Sequence, residues 1–496
     1  MPRLSSGTAA QLPASVRQPG YDRRACGVGI VHLGIGAFHR AHQAVYTDDV
    51  LSETGGDWAI CGVSLRQRSV QAQLDPQDGL YCVVERDGSG DARRIIGAVT
   101  ETLFAPDDPV ALVARMADPG TRIVSLTVTE KGYCHDPASG RLKLDDPGIA
   151  RDLRDPAKPS TAIGFLVAAL AARRRAGHSP FTVMSCDNLP HNGKMLAGLV
   201  EAYAHQLDPS LAGWIGREGA FPSTMVDRIV PATTDEDRAA IETQLGLQDE
   251  GVVVCEPFRQ WVIEDRFTQG RPAWEDAGAQ LVEDVAPFED MKLRLLNGSH
   301  SMLAYLGYLA GYETVAETMA NADFEKLVRR YMQEEAEPTL ALPTGVDTDG
   351  YQEQLIQRFK NPALKHRTWQ IAMDGSQKLP QRLLSVIRKQ MECGGSFELA
   401  SLAVAAWMRY ASGRDETGQG IDVRDPLAER LAALAADVDG NADGEPEALV
   451  ASYLTVKEVF GEDLPRSEAF REALGGALTR LYAEGARKTV SKTAAS

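Results

Sequence analysis

In the first half of the chain, short apolar runs alternate with stretches whose apolar residues recur at helical spacing. Residues 30–33 read as a short buried strand, followed by a glycine turn and a helical stretch to about Leu51. Residues 58–65 predict a second strand, and 94–99 and 122–128 add further β-branched runs. Residues 161–175 predict a helix that Gly177 stops, 181–185 a strand and 195–203 another helix. Strand and helix in alternation predict a parallel sheet covered on both faces. From about Pro287 the strand signals nearly vanish. Residues 292–309, 322–335, 351–359, 383–392, 399–410, 427–436 and 469–486 all read as helices. A boundary therefore falls between about 283 and 290, giving an N-terminal α/β domain over 1–286 and a mainly α-helical domain over 287–496. The polar, glycine-containing stretch 437–447 predicts a loop.

Composition narrows the partners. A length of 496 residues suffices for two or three domains, and 44% hydrophobic with 24% charged residues is ordinary for a water-soluble enzyme. A formal net charge of -17 argues against nucleic acid or an anionic membrane as the main partner, since both repel such a surface. A small anion in a locally basic pocket is not excluded. Seven scattered cysteines without a CxxC pair suit a reducing compartment. Nine histidines form no zinc-ligand spacing, so no metal is expected. The first twenty residues lack the apolar core of a signal peptide, and the longest apolar run, near 164–172, is too short to span a bilayer. The expectation is a cytoplasmic protein; its oligomeric state is open, a monomer included.

Two segments carry candidate chemistry. In Met291-Lys-Leu-Arg-Leu-Leu-Asn-Gly-Ser-His300, an α-helix would place Lys292, Asn297 and His300 within about 140° of one face. A lysine in dry surroundings is destabilised as the ammonium, which moves it toward the range of a general base. A solvated helix face fits this stretch equally well. In His32-Leu-Gly34-Ile-Gly36-Ala-Phe38-His39-Arg40, a GxG pair follows the first strand and opens a helix, the place where a Rossmann-type fold holds a dinucleotide. The third glycine of the usual pattern is replaced by His39. Gly34, Ile35, Gly36, Phe38 and Arg40 are the cofactor-binding candidates of this turn. The second strand ends Ser64-Leu-Arg66-Gln-Arg68 without the carboxylate that NAD-preferring folds use. Arg66 and Arg68 would suit a 2′-phosphate or simply be solvated, so these residues leave the NAD/NADP choice open; NAD is the expected cofactor and NADP the alternative.

These strings resemble the mannitol dehydrogenase family of metal-independent polyol and aldonate dehydrogenases. The resemblance extends through Phe221-Pro-Ser-Thr-Met-Val-Asp-Arg-Ile-Val-Pro231, Ser185-Cys-Asp-Asn-Leu-Pro-His-Asn-Gly193, Cys255-Glu-Pro-Phe, Asp374-Gly-Ser-Gln-Lys378 and Gly461-Glu-Asp-Leu-Pro465. It implies that Lys292 is the general base, and that Asn188 and Asn297 donate to the developing alkoxide. His300 would orient the substrate hydroxyl or the lysine, Asp227 would bond polyol hydroxyls, and Lys378 would reach the substrate's distal end. Mannitol/fructose is the leading substrate pair and mannonate/fructuronate the alternative. An aldonate would need a cation, for which Lys131, Arg294 and Lys378 are the candidates. Some mannitol-active relatives carry Arg where this chain has Gln370. The stretches 129–134 and 366–381 look more like the mannonate branch, while the string from Asn188 looks more like the mannitol enzymes. A non-catalytic dinucleotide sensor is the alternative of another class, and the intact Lys292/Asn297/His300 set counts against it.

Overall fold

The strand Val28–Leu33 takes its place from what its alternate side chains bury. Val31 and Leu33 join one apolar cluster with Leu166, Leu170 and Leu199, while Ile30 joins another with Val45, Ile60 and Trp261. Successive strand side chains point to opposite faces, and a strand buried on both belongs inside a covered parallel sheet. The computed structural model has that sheet. Five parallel strands lie in the order Val99–Phe104, Ala59–Ser64, Val28–Leu33, Ile123–Leu126, Thr182–Ser185. Counted along the chain within the sheet, the order is 3-2-1-4-5, that of a doubly wound dinucleotide-binding fold. Helices Ala162–Arg175 and Asn192–Leu207 pack on one face and Gln43–Thr54 on the other. The expected α/β architecture is therefore present. The structure describes residues 1–496 apart from 89, 137–138, 365 and 440–445, and apart from the side chains of 364 and 439. It divides into two compact units, Met1–Ala286 and Pro287–Ser496.

Within the first unit, the apolar pattern misassigned one segment and missed others. The expected strand 94–99 is two strands that separate at Gly97. Gly90–Ile96 pairs antiparallel with Tyr81–Asp87, and Val99–Phe104 edges the main sheet. A Cβ at Gly97 would press on Pro19 and Arg23, and the Gly97 N–H donates to buried Asp48. Periodicity identifies strand character but not the partner strand. Val253–Cys255 extends the hairpin, and Thr224–Asp227, Gln260–Glu264 and Gln280–Val282 form a third sheet that the pattern did not indicate. Each has five residues or fewer, too short for a period to register.

The second unit is helical, as expected, but three of its helices contain π turns. The expected α-helix 292–309 is a π turn over Lys292–Asn297 followed by an α-helix over Gly298–Leu309. The 322–335 helix ends in a π turn over Tyr331–Ala336, and another over Pro380–Leu384 precedes Ser385–Cys393. Their packing gives a physical reason for the first. The Tyr331 hydroxyl donates to the Arg294 carbonyl at 3.0 Å, offering that oxygen a partner outside the helix. Gly298 permits this approach, because a Cβ there would collide with the Tyr331 hydroxyl and lie 3.2 Å from the Arg382 carbonyl. The expected helix 469–486 runs over Glu468–Ala495 with a break at Gly485 (φ 78°). The expected loop 437–447 lies mostly outside the described residues; helix Ala428–Asp439 precedes that gap and helix Pro446–Tyr453 follows it.

Candidate active site

At the carboxyl ends of the first and fourth sheet strands, Gly34 meets Thr127. Gly34 has φ +99°, and a Cβ there would collide with the Thr127 carbonyl oxygen. Thr127 Oγ1 donates to the Gly34 carbonyl at 2.7 Å, and the Gly34 N–H donates to Val63 at 2.8 Å. The turn is thus held from both neighbouring strands. Gly36, by contrast, is exposed, and a Cβ there would find nothing nearer than the Gly34 oxygen at 3.8 Å. It borders a cavity of about 880 Å³ that Gly34, Ile35, Arg66 and Lys131 also line. Arg151 and Lys158 stand on the same wall. Glycine backbone and four cations at a sheet's switch point suit a dinucleotide's phosphates.

Three sequence candidates for this region fall elsewhere. Phe38 lies outside the cavity lining and stacks on His42 at 5.0 Å. Arg40 is buried; its Nη1 donates to the Gly251 carbonyl at 2.5 Å and its guanidinium lies over Tyr81. That cation ties the first helix to a distant loop rather than facing the cavity. Arg68 lies over Phe104 and pairs with Asp107, also outside the lining. Lys131, a candidate for a substrate carboxylate, instead faces this first-unit cavity.

The loop after Thr182–Ser185 presents Asn188 on the surface. Its neighbours hold it in shape. Asp187 accepts the Val128 N–H at 2.8 Å, the Thr129 N–H at 3.1 Å and the Tyr133 hydroxyl at 2.7 Å. Burial pushes the Asp187 carboxyl upward, against those donors. Asn192 donates to the carbonyls of Asp187 and Thr224 and accepts the Thr224 N–H at 2.9 Å. Asp227 ends the strand that Thr224 begins and is 6% exposed. The same amide therefore braces the elements carrying Asn188 and Asp227. The neighbouring Arg228 bonds Glu85 and the carbonyls of Ala41 and Glu256. Asn192 lies within the Ser185–Gly193 stretch, and its bracing role rests on contacts with Thr224, 32 residues away, which no local pattern signals.

In the second unit, Lys292 opens the π turn and Asn297 closes it. An i→i+5 turn brings residues five apart onto one face, so these two side chains share it more closely than an α-helix would allow. Lys292 and His300 are each 8% exposed. The His300 ring lies 4.7 Å from Phe359 and 5.2 Å from His366. Burial, then the nearby His366, Arg358, Arg382 and Lys378, push it well below the usual histidine range, so it is a neutral imidazole. Lys378 donates to the Met373 carbonyl at 2.6 Å and the Ile371 carbonyl at 3.3 Å. Burial and then Arg382 bring its ammonium down to about 8. Gln370 is exposed. Arg294 is committed to Asp290 at 2.8 Å and to the Thr339 carbonyl at 2.5 Å. An amine, an amide and a neutral imidazole on one segment can remove a proton from an alcohol and hold its oxygen. Among the described residues, no group of three or more His, Cys, Asp or Glu side chains is placed to hold a metal ion. Among them, no helix is long and apolar enough to cross a membrane.

The chain as a whole has known relatives. The mannitol dehydrogenase Rossmann domain matches residues 28–276, and the mannitol dehydrogenase C-terminal domain matches residues 284–482. D-mannonate oxidoreductase of Escherichia coli is 49% identical over 480 residues, 96% of this chain and 98% of the relative. Mannitol 2-dehydrogenase of Phaeosphaeria nodorum is 43% identical over 498 residues, 99% of this chain and 86% of the relative. The solved structure of Pseudomonas fluorescens mannitol 2-dehydrogenase, a ternary complex with NAD and D-mannitol, superposes with a TM-score of 0.84 at 40% identity, covering 99% of each chain. With both domain models matched in order and relatives aligned almost end to end, the chain belongs to the mannitol dehydrogenase family.

Proposed function

We propose that this protein catalyses reversible, NAD-dependent oxidation of a secondary alcohol in an open-chain polyol of the mannitol type or in the corresponding aldonate. The observation that carries the reading is the π turn that puts Lys292 and Asn297 on one face, one α-turn before a neutral, buried His300. Gly34, Ile35, Gly36 and Arg66 are the residues that would hold NAD, and the open space at Gly36 fits a backbone that a pyrophosphate approaches. When bound, the nicotinamide supplies the hydride acceptor. Lys292 Nζ takes the alcohol proton as the carbon–hydrogen bond breaks and returns it in the reverse direction. Asn297 donates to the oxygen as it gains charge, and Asn188 is the second amide proposed for that task. His300 orients the substrate hydroxyl, and Asp227 accepts from others. Mannitol to fructose is one reading. Mannonate to fructuronate is the second, favoured by the 49% identity to D-mannonate oxidoreductase and by the cations around His300.

A kinetic panel of D-mannitol, D-arabinitol, D-sorbitol and D-mannonate, each with NAD and NADP, tests this directly. Turnover of at least one substrate with NAD is expected, unchanged after prolonged dialysis against a strong chelator. No turnover across the panel, or activity restored only by added zinc, would reject the reading.

Arg66 and Arg68 now separate. Arg66→Gln should weaken NADP binding about tenfold or more and NAD binding little, as loss of a charge-assisted bond of about 1.5–3 kcal/mol implies. Arg68→Gln, which removes the Asp107 pair and the contact over Phe104 outside the cavity lining, should change neither. Titration of both cofactors against both variants decides; small, equal effects at Arg66 would make it a solvent-facing cation.

A further inference from the structure

Three cations were candidates to receive a substrate carboxylate, and each has another engagement. Arg294 pairs with Asp290, Lys378 is bonded to two main-chain carbonyls, and Lys131 lines the cavity of the first unit. Arg382 differs. It projects from the π turn Pro380–Leu384, and its own carbonyl lies against Gly298, at the end of the Lys292–Asn297 turn. Its guanidinium has a single hydrogen bond among the described residues, to Ser301 Oγ at 3.3 Å, beside His300. No described carboxylate pairs with it.

Other enclosed arginines of this protein have strong acceptors. Arg94 has Asp48 and Asp49, Arg228 has Glu85, and Arg173 has three carbonyls. A guanidinium withdrawn from water without an anion is destabilised, and burial lowers the Arg382 pKa accordingly. The residue as a whole nevertheless retains partial exposure. Its positive charge also adds to those of Arg358 and Lys378 around His300. Close to the proposed alcohol-handling residues, Arg382 therefore offers a planar two-pronged donor with no described carboxylate to receive it. That is the geometry a carboxylate accepts in bidentate fashion.

We propose that Arg382 is the specificity-determining residue that binds the carboxylate of a sugar-acid substrate, making the aldonate rather than the neutral polyol the preferred substrate. The proposal rests on the reading that Lys292, Asn297 and His300 act on the alcohol. Oxidation then proceeds as for the polyol: the carbon–hydrogen pair leaves as hydride to NAD, the hydroxyl proton goes to Lys292, and the carboxylate stays unchanged throughout.

The test compares D-mannonate and D-mannitol as substrates of the full-length wild type, Arg382→Gln and Arg382→Lys at saturating NAD, with melting temperatures measured alongside. The wild type should prefer D-mannonate. Arg382→Gln should lower kcat/KM for D-mannonate about 100-fold or more, mostly through KM, and for D-mannitol less than about fivefold. Arg382→Lys, which keeps the charge but not the fork, should lose about tenfold on the acid alone. If the glutamine variant does not fold, the lysine variant decides by the same selectivity. Equal losses on both substrates, or no loss on either, would overturn the proposal. A wild type that oxidises D-mannitol but not D-mannonate would also overturn it while leaving the hydride-transfer reading intact. Turnover of neither would overturn both.

Discussion

Lys292→Ala is expected to lower kcat by about 100-fold or more, the usual scale for a positioned base, while leaving NAD affinity nearly unchanged. The residue is almost wholly enclosed and shares its π-turn face with Asn297, so no other described amine of that turn can take its place. The affinity for NAD should survive because the proposed cofactor residues belong to the first unit. The variant's pH–rate profile should lose the limb belonging to an amine, and a small primary amine added to the assay should recover part of the rate. Activity within a few-fold of the parent would remove Lys292 from the role of base.

Gly34→Ala and Gly36→Ala should separate the structural glycine from the binding one. At Gly34 the backbone lies at φ +99°, where a non-glycine residue costs about 1–3 kcal/mol, and the added Cβ also meets the Thr127 carbonyl. The melting temperature should fall by about 5 °C or more, on the scale of a few degrees per kcal/mol for a domain of this size, and NAD binding should weaken with it. At Gly36 the fold has room for a methyl group, so the melting temperature should stay within about 1 °C of the parent. NAD affinity should nonetheless drop about tenfold or more, because the methyl would occupy the surface a pyrophosphate approaches. Calorimetry and cofactor titration on the two variants check this. A Gly36→Ala enzyme with unaltered NAD affinity would place the pyrophosphate elsewhere.

Much of the first unit was readable because its strands are runs buried on both faces and its glycine turn follows the first of them. The expected strands 58–65, 122–128 and 181–185 differ from the observed Ala59–Ser64, Ile123–Leu126 and Thr182–Ser185 by no more than two residues at either end. The candidates Gly34, Ile35, Gly36 and Arg66 meet at one cavity, since the motif and the end of the neighbouring strand are adjacent by topology. Phe38 and Arg40 do not, although they lie in the same string. A five-residue helix turns them inward, toward His42 and toward Gly251, which is 211 positions from Arg40.

Sequence alone determined the residue types that carry the proposed chemistry, the alternation of strand and helix around the inner strands of the main sheet, and the change to a mainly helical second unit. These follow from local pattern, because burial sets a period of two in strands and near 3.6 in helices. Tertiary structure decided what depends on distant partners. The Lys292–Asn297 segment is a π turn rather than the expected α-helix, with its Arg294 carbonyl bonded to a tyrosine 37 positions away and with Gly298 giving that tyrosine room. Residues 94–99 divide between two sheets because pairing is settled by facing strands. Among the cations, sequence shows only charge. Whether an arginine is neutralised by a carboxylate, as Arg294 is, or has only a serine hydroxyl among the described residues, as Arg382 has, depends on which side chains folding brings within hydrogen-bonding distance.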